Sequence, residues 1–151
     1  MRFLIVGPGA MGCLFAACFK KAGFDVVLLD YIPERADLIN EKGIHVEGVR
    51  GHYHVHVPTM VENLPWRPDL ALICVKSYHT LGATRNIFPL LESESIVMTL
   101  QNGVGNIEIL EGVFGKGRML GGVTAEGATL IAPGRIRHAG EGDTVIGPGG
   151  D

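Results

Sequence analysis

The chain has 151 residues, 46% of them hydrophobic and 19% charged, which describes one globular domain with a real core and excludes a disordered segment. A net charge of −3 without any Lys/Arg cluster argues against a nucleic-acid partner. Residues 1–22 open apolar, but Pro8 and Gly9 interrupt the run and Lys20-Lys21 follow it. They therefore read as folded structure, with no targeting or membrane segment and a cytoplasmic location. Cys13, Cys18 and Cys74 are odd in number and lie in apolar surroundings, as expected of reduced core thiols.

Residues 3–6 form a short apolar run of the kind buried on both faces of a parallel sheet. Directly after it stands Gly7-Pro8-Gly9-Ala10-Met11-Gly12, and a helical pattern opens at Ala10. Gly7 allows a tight turn off the strand, Gly9 lets a pyrophosphate approach bare backbone, and Gly12 lets the helix press on the strand. Met11, Leu14, Phe15, Cys18 and Ala22 recur at helical spacing as one stripe, and Gly23 supplies the stop. Residues 25–29 are the second strand, and Asp30 at its end lies eighteen residues past Gly12. Strand, glycine turn, helix and acid together predict dinucleotide binding, the phosphates meeting the free N–H groups of the first helix.

A second helix is expected from Pro33, ending before Gly43. Residues 44–57 alternate about Arg50-Gly51 and read as a hairpin. Its wet face carries His52, His54 and His56, with Tyr53, Val55 and Val57 on the buried face, and no metal site is expected there. Strand–helix alternation resumes with a strand at 69–75, a helix at 80–91, a strand at 95–100 and a short helix at 105–113. From Arg118 the helices stop, and 122–132, 135–138 and 143–146 read as an antiparallel meander. The Gly147-Pro148-Gly149-Gly150 string has the composition of a hinge. The expected fold is α/β, Rossmann-like: a mostly parallel sheet with helices on both faces, plus a β-hairpin and a C-terminal antiparallel meander.

In such a sheet, ligands bind beyond the carboxyl ends of the strands. Asp30 there suits ribose hydroxyls and would repel a 2′-phosphate, or else it caps the following helix. Lys76 suits a carboxylate or phosphate, or is a solvated lysine at a strand end. Asn102 can donate and accept at once, suiting a nicotinamide ribose or a substrate hydroxyl, or is a turn residue in Asn-Gly.

With these residues laid out, the chain resembles the N-terminal NAD(P)-binding domain of the ketopantoate reductase (2-dehydropantoate 2-reductase) family. The resemblance runs through the glycine turn, Cys74-Val75-Lys76-Ser77-Tyr78-His79-Thr80 and Leu100-Gln101-Asn102-Gly103. It continues in Gly122-Val123-Thr124-Ala125-Glu126-Gly127-Ala128 and Pro133-Gly134-Arg135-Ile136-Arg137-His138-Ala139-Gly140, and covers essentially all 151 residues. It implies NAD(P)H-dependent reduction of 2-dehydropantoate to (R)-pantoate, a step towards pantothenate and coenzyme A. By motif, residues 7–12 hold the pyrophosphate and Lys76 lies near cofactor and keto acid. Asn102 contacts nicotinamide ribose and substrate, and Ala128 touches the cofactor by its backbone.

Two departures from the family pattern matter. Members that use NADPH usually carry an arginine just after the second strand, where this chain has Asp30-Tyr31, so NADH is favoured over NADPH, although Arg35 could swing back. The family's proton-donating lysine and substrate-anchoring glutamate lie in a helical C-terminal domain that residues 1–151 do not contain. The expectation is a dinucleotide-binding domain that turns over poorly or not at all alone. The 2-keto acid would be bound only with the missing domain, and exposed apolar surface would favour a homodimer. A stand-alone dinucleotide-binding module and the cofactor domain of a reductase for another 2-keto acid remain open readings.

Overall fold

Strand β1 (Arg2–Val6) is followed by α1 (Ala10–Lys21), β2 (Asp25–Leu29) and α2 (Pro33–Lys42) in the computed structural model, which describes residues 1–149. The hairpin β3 (Ile44–Gly48) and β4 (Tyr53–Val55) comes next, then β5 (Thr59–Met60) and β6 (Leu70–Ile73). A 3-10 turn (Ser77–His79) leads into α3 (Thr80–Ile87), and β7 (Ile96–Thr99) precedes α4 (Asn106–Phe114). Four more strands follow among the described residues: β8 (Met119–Thr124), β9 (Gly127–Ala132), β10 (Arg135–Gly140) and β11 (Thr144–Pro148). No described helix is long and apolar enough to cross a membrane.

The main sheet runs β11-β8-β7-β6-β1-β2-β5 and is parallel except for β11 against β8. The chain winds outward from β1 through β2 to β5, then returns to place β6 on the other side of β1. That reversal is the topological switch point of a doubly wound sheet. A smaller sheet, β4-β3-β10-β9, combines two antiparallel pairs with a parallel β3–β10 contact.

Alternation along the central strands divides the core in two. Phe3, Ile5, Val26, Leu28 and Leu72 face α1 and the second sheet, packing with Cys13, Leu14, Ala16, Ala17 and Ile136. Leu4, Val6, Val27, Ala71 and Ile73 face α3 and α4, packing with Ile87, Leu110 and Phe114. Helix α1 thus lies between two sheets. Its deepest residues are therefore the small ones, Gly12, Cys13, Ala16 and Ala17, together with Leu14. Of the expected stripe, Met11, Phe15 and Cys18 are only half-buried and Ala22 is exposed. Large side chains there would hold the sheets apart.

Three boundaries also differ from expectation. Pro89 lacks the N–H that would bond back to Arg85, so α3 ends at Ile87 and a 3-10 turn (Phe88–Leu90) follows. Residues 122–132 are two strands, because the chain breaks at Ala125-Glu126 as it passes from the main sheet to the second. The C-terminal strands accordingly pair as β8–β11 and β9–β10 in separate sheets. Gly147 and Pro148 extend β11 instead of forming a hinge, while the Gly150 end of that string lies outside the described residues.

Leu72 is fully buried at the centre of the main sheet. Leu72→Ala should lower stability by about 2–5 kcal/mol, read as a shift of the urea midpoint at unchanged slope.

Candidate functional site

Val6, Leu29, Ile73 and Thr99 stand level in the registers of β1, β2, β6 and β7. The segments that follow each of them emerge along one edge of the sheet, spread over three strand spacings, about 14 Å. This common level gathers the glycine turn, Asp30-Tyr31, the segment with Lys76 and the segment with Asn102.

The glycines of the first turn meet different constraints. Gly7 has φ +100°, and a Cβ there would sit 2.9 Å from Val75 Cγ1. On Gly12 a Cβ would collide with the carbonyl oxygen of Gly7, so the helix can approach the strand this closely only without a side chain. Gly9, the N-cap of α1, has ordinary φ, and nothing lies within 4 Å of where its Cβ would be. No side chain caps the helix and no acid occupies its first turn. A cradle that a Cβ would fill, next to uncapped N–H groups, fits a phosphate-bearing ligand. Beneath the turn, Cys13 Sγ donates to the Pro8 carbonyl at 3.3 Å, and burial pushes its thiol up to about 12, so it remains a neutral donor.

Asp30 ends β2 as expected, but its carboxylate is already engaged. Arg35 Nε and Nη2 donate to its two oxygens at 2.6 and 2.5 Å, and the Ile32 N–H donates to Oδ1 at 3.2 Å. The Asp30 side chain is fully buried while that of Arg35 is 29% exposed. Hydrogen bonding to Asp30 raises the already high Arg35 pKa further. Capping is not its role: no side chain caps α2, and the N–H that Asp30 takes precedes the first helical turn. A ribose could reach this carboxylate only in place of Arg35. The guanidinium also lies 5.6 Å from the exposed Tyr31 ring, which is 6.1 Å from His79 across the edge.

Lys76 is exposed, three residues beyond the end of β6, and heads the 3-10 turn. Asn102 is also exposed, and its carbonyl accepts hydrogen bonds from Ser77 Oγ at 3.1 Å and Asn106 Nδ2 at 3.3 Å. Ala128 sits apart from these segments in β9, half-buried and packed against the core on the α1 side. The sequence reading passed over Arg35 as a fixed partner of Asp30, and over Thr80, Thr99 and Asn106, whose side chains are buried beneath the two exposed residues. Only Thr99, polar in the otherwise apolar β7, carried a sequence signal; Thr80 and Asn106 open their helices and Arg35 lies in a polar one.

On the hairpin His52, His54 and His56 are exposed and Val57 buried, and His45 stacks on His54 at 4.2 Å. Among the described residues no group of three His, Cys, Asp or Glu is disposed to hold a metal ion. A groove of about 560 Å³ lies over this hairpin and β10, away from the strand ends.

Strand order, switch point and glycine turn define a Rossmann-like α/β domain. Residues 3–151 match the model described as ketopantoate reductase PanE/ApbA, and the chain belongs to that family. The 2-dehydropantoate 2-reductases of Pyrococcus abyssi and Aquifex aeolicus are 38% and 35% identical over 148 residues, which is 97% of this chain and 47% and 46% of theirs. The chain thus spans about half the length of the curated relatives it matches. The crystal structure of the 2-dehydropantoate 2-reductase from Geobacter metallireducens GS-15 superposes with TM-score 0.89 at 31% identity, over 99% of this chain and 50% of that one. A ternary structure of D-mandelate dehydrogenase with NADH and anilino(oxo)acetate gives 0.92 at 26% identity, over 100% and 49%.

Gly12→Ala should destabilise the fold by about 1–3 kcal/mol by prising α1 from β1, measured by chemical denaturation. Cys13 carries a pH signature. Its folded pKa, about 12, exceeds the ordinary 9.0, so its contribution is complete below pH 9 and is lost as pH rises from 9 towards 12. Cys13→Ala should flatten that alkaline decline in stability.

Proposed function

We propose that this chain is the nicotinamide-dinucleotide domain of a 2-dehydropantoate 2-reductase, a cytoplasmic enzyme reducing ketopantoate to (R)-pantoate within a longer protein. The observation that carries the reading is the open space over Gly9 at an uncapped helix start, level with three further strand ends. The 7–12 turn would bind pyrophosphate through its backbone N–H groups. Tyr31 and the Asp30–Arg35 pair would face the adenosine ribose. Lys76 and Asn102 would face the nicotinamide end and the keto acid, and Ala128 would contribute backbone. The bound reduced nicotinamide supplies hydride; the residues of this chain bind and orient. Ketone reduction also needs an acid at the carbonyl oxygen, and the family resemblance assigns that acid to a lysine in a second, helical domain. The chain alone therefore binds cofactor without turnover.

NADH is favoured over NADPH. Asp30 and Arg35 together carry no net charge, and two of the guanidinium's donors are committed to Asp30, so a 2′-phosphate gains little net attraction. The superposition on D-mandelate dehydrogenase favours one further reading, a reductase for another 2-keto acid, with substrate selection residing largely outside this chain.

Calorimetric titration with NADH, NADPH and ketopantoate tests the proposal. NADH should bind, NADPH more weakly, and the keto acid hardly at all. Tighter NADPH binding would overturn the preference, and no binding of either would overturn the reading. Gly9→Val should melt like the parent yet bind NADH about tenfold more weakly, the worth of roughly one hydrogen bond to a charged group.

A further inference from the structure

We infer that Gln101 is a positioning residue that sets Lys76 and Asn102 relative to each other, by tying the β6–α3 and β7–α4 connections into one unit. Its side-chain Nε2 donates to the Val75 carbonyl at 2.5 Å and to Thr80 Oγ1 at 3.0 Å. Its Oε1 accepts from Thr99 Oγ1 at 2.9 Å, and its own N–H donates back to that hydroxyl at 3.2 Å. Thr80 Oγ1 in turn donates to Asn106 Oδ1 at 3.2 Å, and Asn106 Nδ2 donates to the Asn102 carbonyl. Ser77 Oγ, donating to the same carbonyl, closes the ring beside Lys76. The circuit begins at the peptide joining Val75 to Lys76 and ends on the Asn102 carbonyl, and the side chains of both exposed residues take no part in its bonds.

The orientation of the Gln101 amide is forced. The Val75 carbonyl can only accept, so the nitrogen must face it, and both amide hydrogens are then used. Thr80, Thr99 and Asn106 are 0%, 3% and 4% exposed, so the bonds beneath the site are shielded from water and geometrically demanding. Glutamate has the same shape but would set one acceptor against another at Val75. Gln101→Glu therefore removes one function without opening a cavity.

This inference rests on the reading of the strand ends as a cofactor site, and the test separates the two. NADH dissociation constants are measured for the parent, Gln101→Glu, and Thr99→Val, which removes the hydroxyl that orients Oε1. Gln101→Glu is also measured in a Lys76→Ala/Asn102→Ala background. Gln101→Glu should weaken NADH binding about tenfold and Thr99→Val about threefold, as expected for losing one or two buried hydrogen bonds. Amides of residues 76–80 should exchange faster in both variants. In the doubly substituted background Gln101→Glu should cost less than about twofold, because a residue acting through Lys76 and Asn102 has nothing left to position. Should the parent bind NADH while Gln101→Glu binds within twofold of it, the inference falls and the cofactor reading stands. An undiminished tenfold loss in the doubly substituted background would also overturn it, reducing Gln101 to a general structural role. A parent that binds no NADH overturns the cofactor reading itself.

Discussion

The closeness of α1 to β1 is the constraint on which the rest of this molecule depends. Gly12 lies against the carbonyl of Gly7, leaving no room for even a methyl group. That contact draws the helix onto the sheet so that its N-terminus opens at the strand ends, and it admits a second sheet on the helix's far side. The burial of Ala16, Ala17 and Cys13 and the open space over Gly9 accord with that close approach. Packing of this kind is felt at the level of single methylenes, so such a position tolerates little.

Around that corner the electrostatics are arranged to leave few free charges. Asp30 is buried but bidentately held by Arg35, which keeps a carboxylate in a dry place without an uncompensated charge. Cys13 contributes a neutral thiol to the Pro8 carbonyl because burial suppresses its ionisation. Lys76 is the exception, exposed like the neutral Asn102 above a polar ring that joins their two segments.

Much of this was legible in the residues themselves. The bounds of β2 and α2 follow from the apolar run of four after Asp25 and from Pro33 and Gly43, because these are local conformational choices. The grouping of Gly7, Asp30, Lys76 and Asn102 was legible too, since parallel strands bring like ends together. Burial along α1 was not. Hydrophobic periodicity marks where large apolar side chains recur, whereas a helix pressed between two sheets buries its small ones. Nor was the split at Ala125-Glu126, because which sheet each flanking strand joins depends on partners far away in the chain.

By itself, then, the sequence determined the element types, the glycine turn and the edge of the sheet at which polar residues would collect, since backbone freedom and short-range periodicity decide these. Tertiary structure alone decided that Asp30 is closed over by Arg35 and that Gln101 bridges Val75 to Thr80. It also divided the last four strands between two sheets. Each of these depends on which groups meet across the fold, and hydrogen-bond donors and acceptors find partners by proximity in space, of which the order of residues carries no direct record.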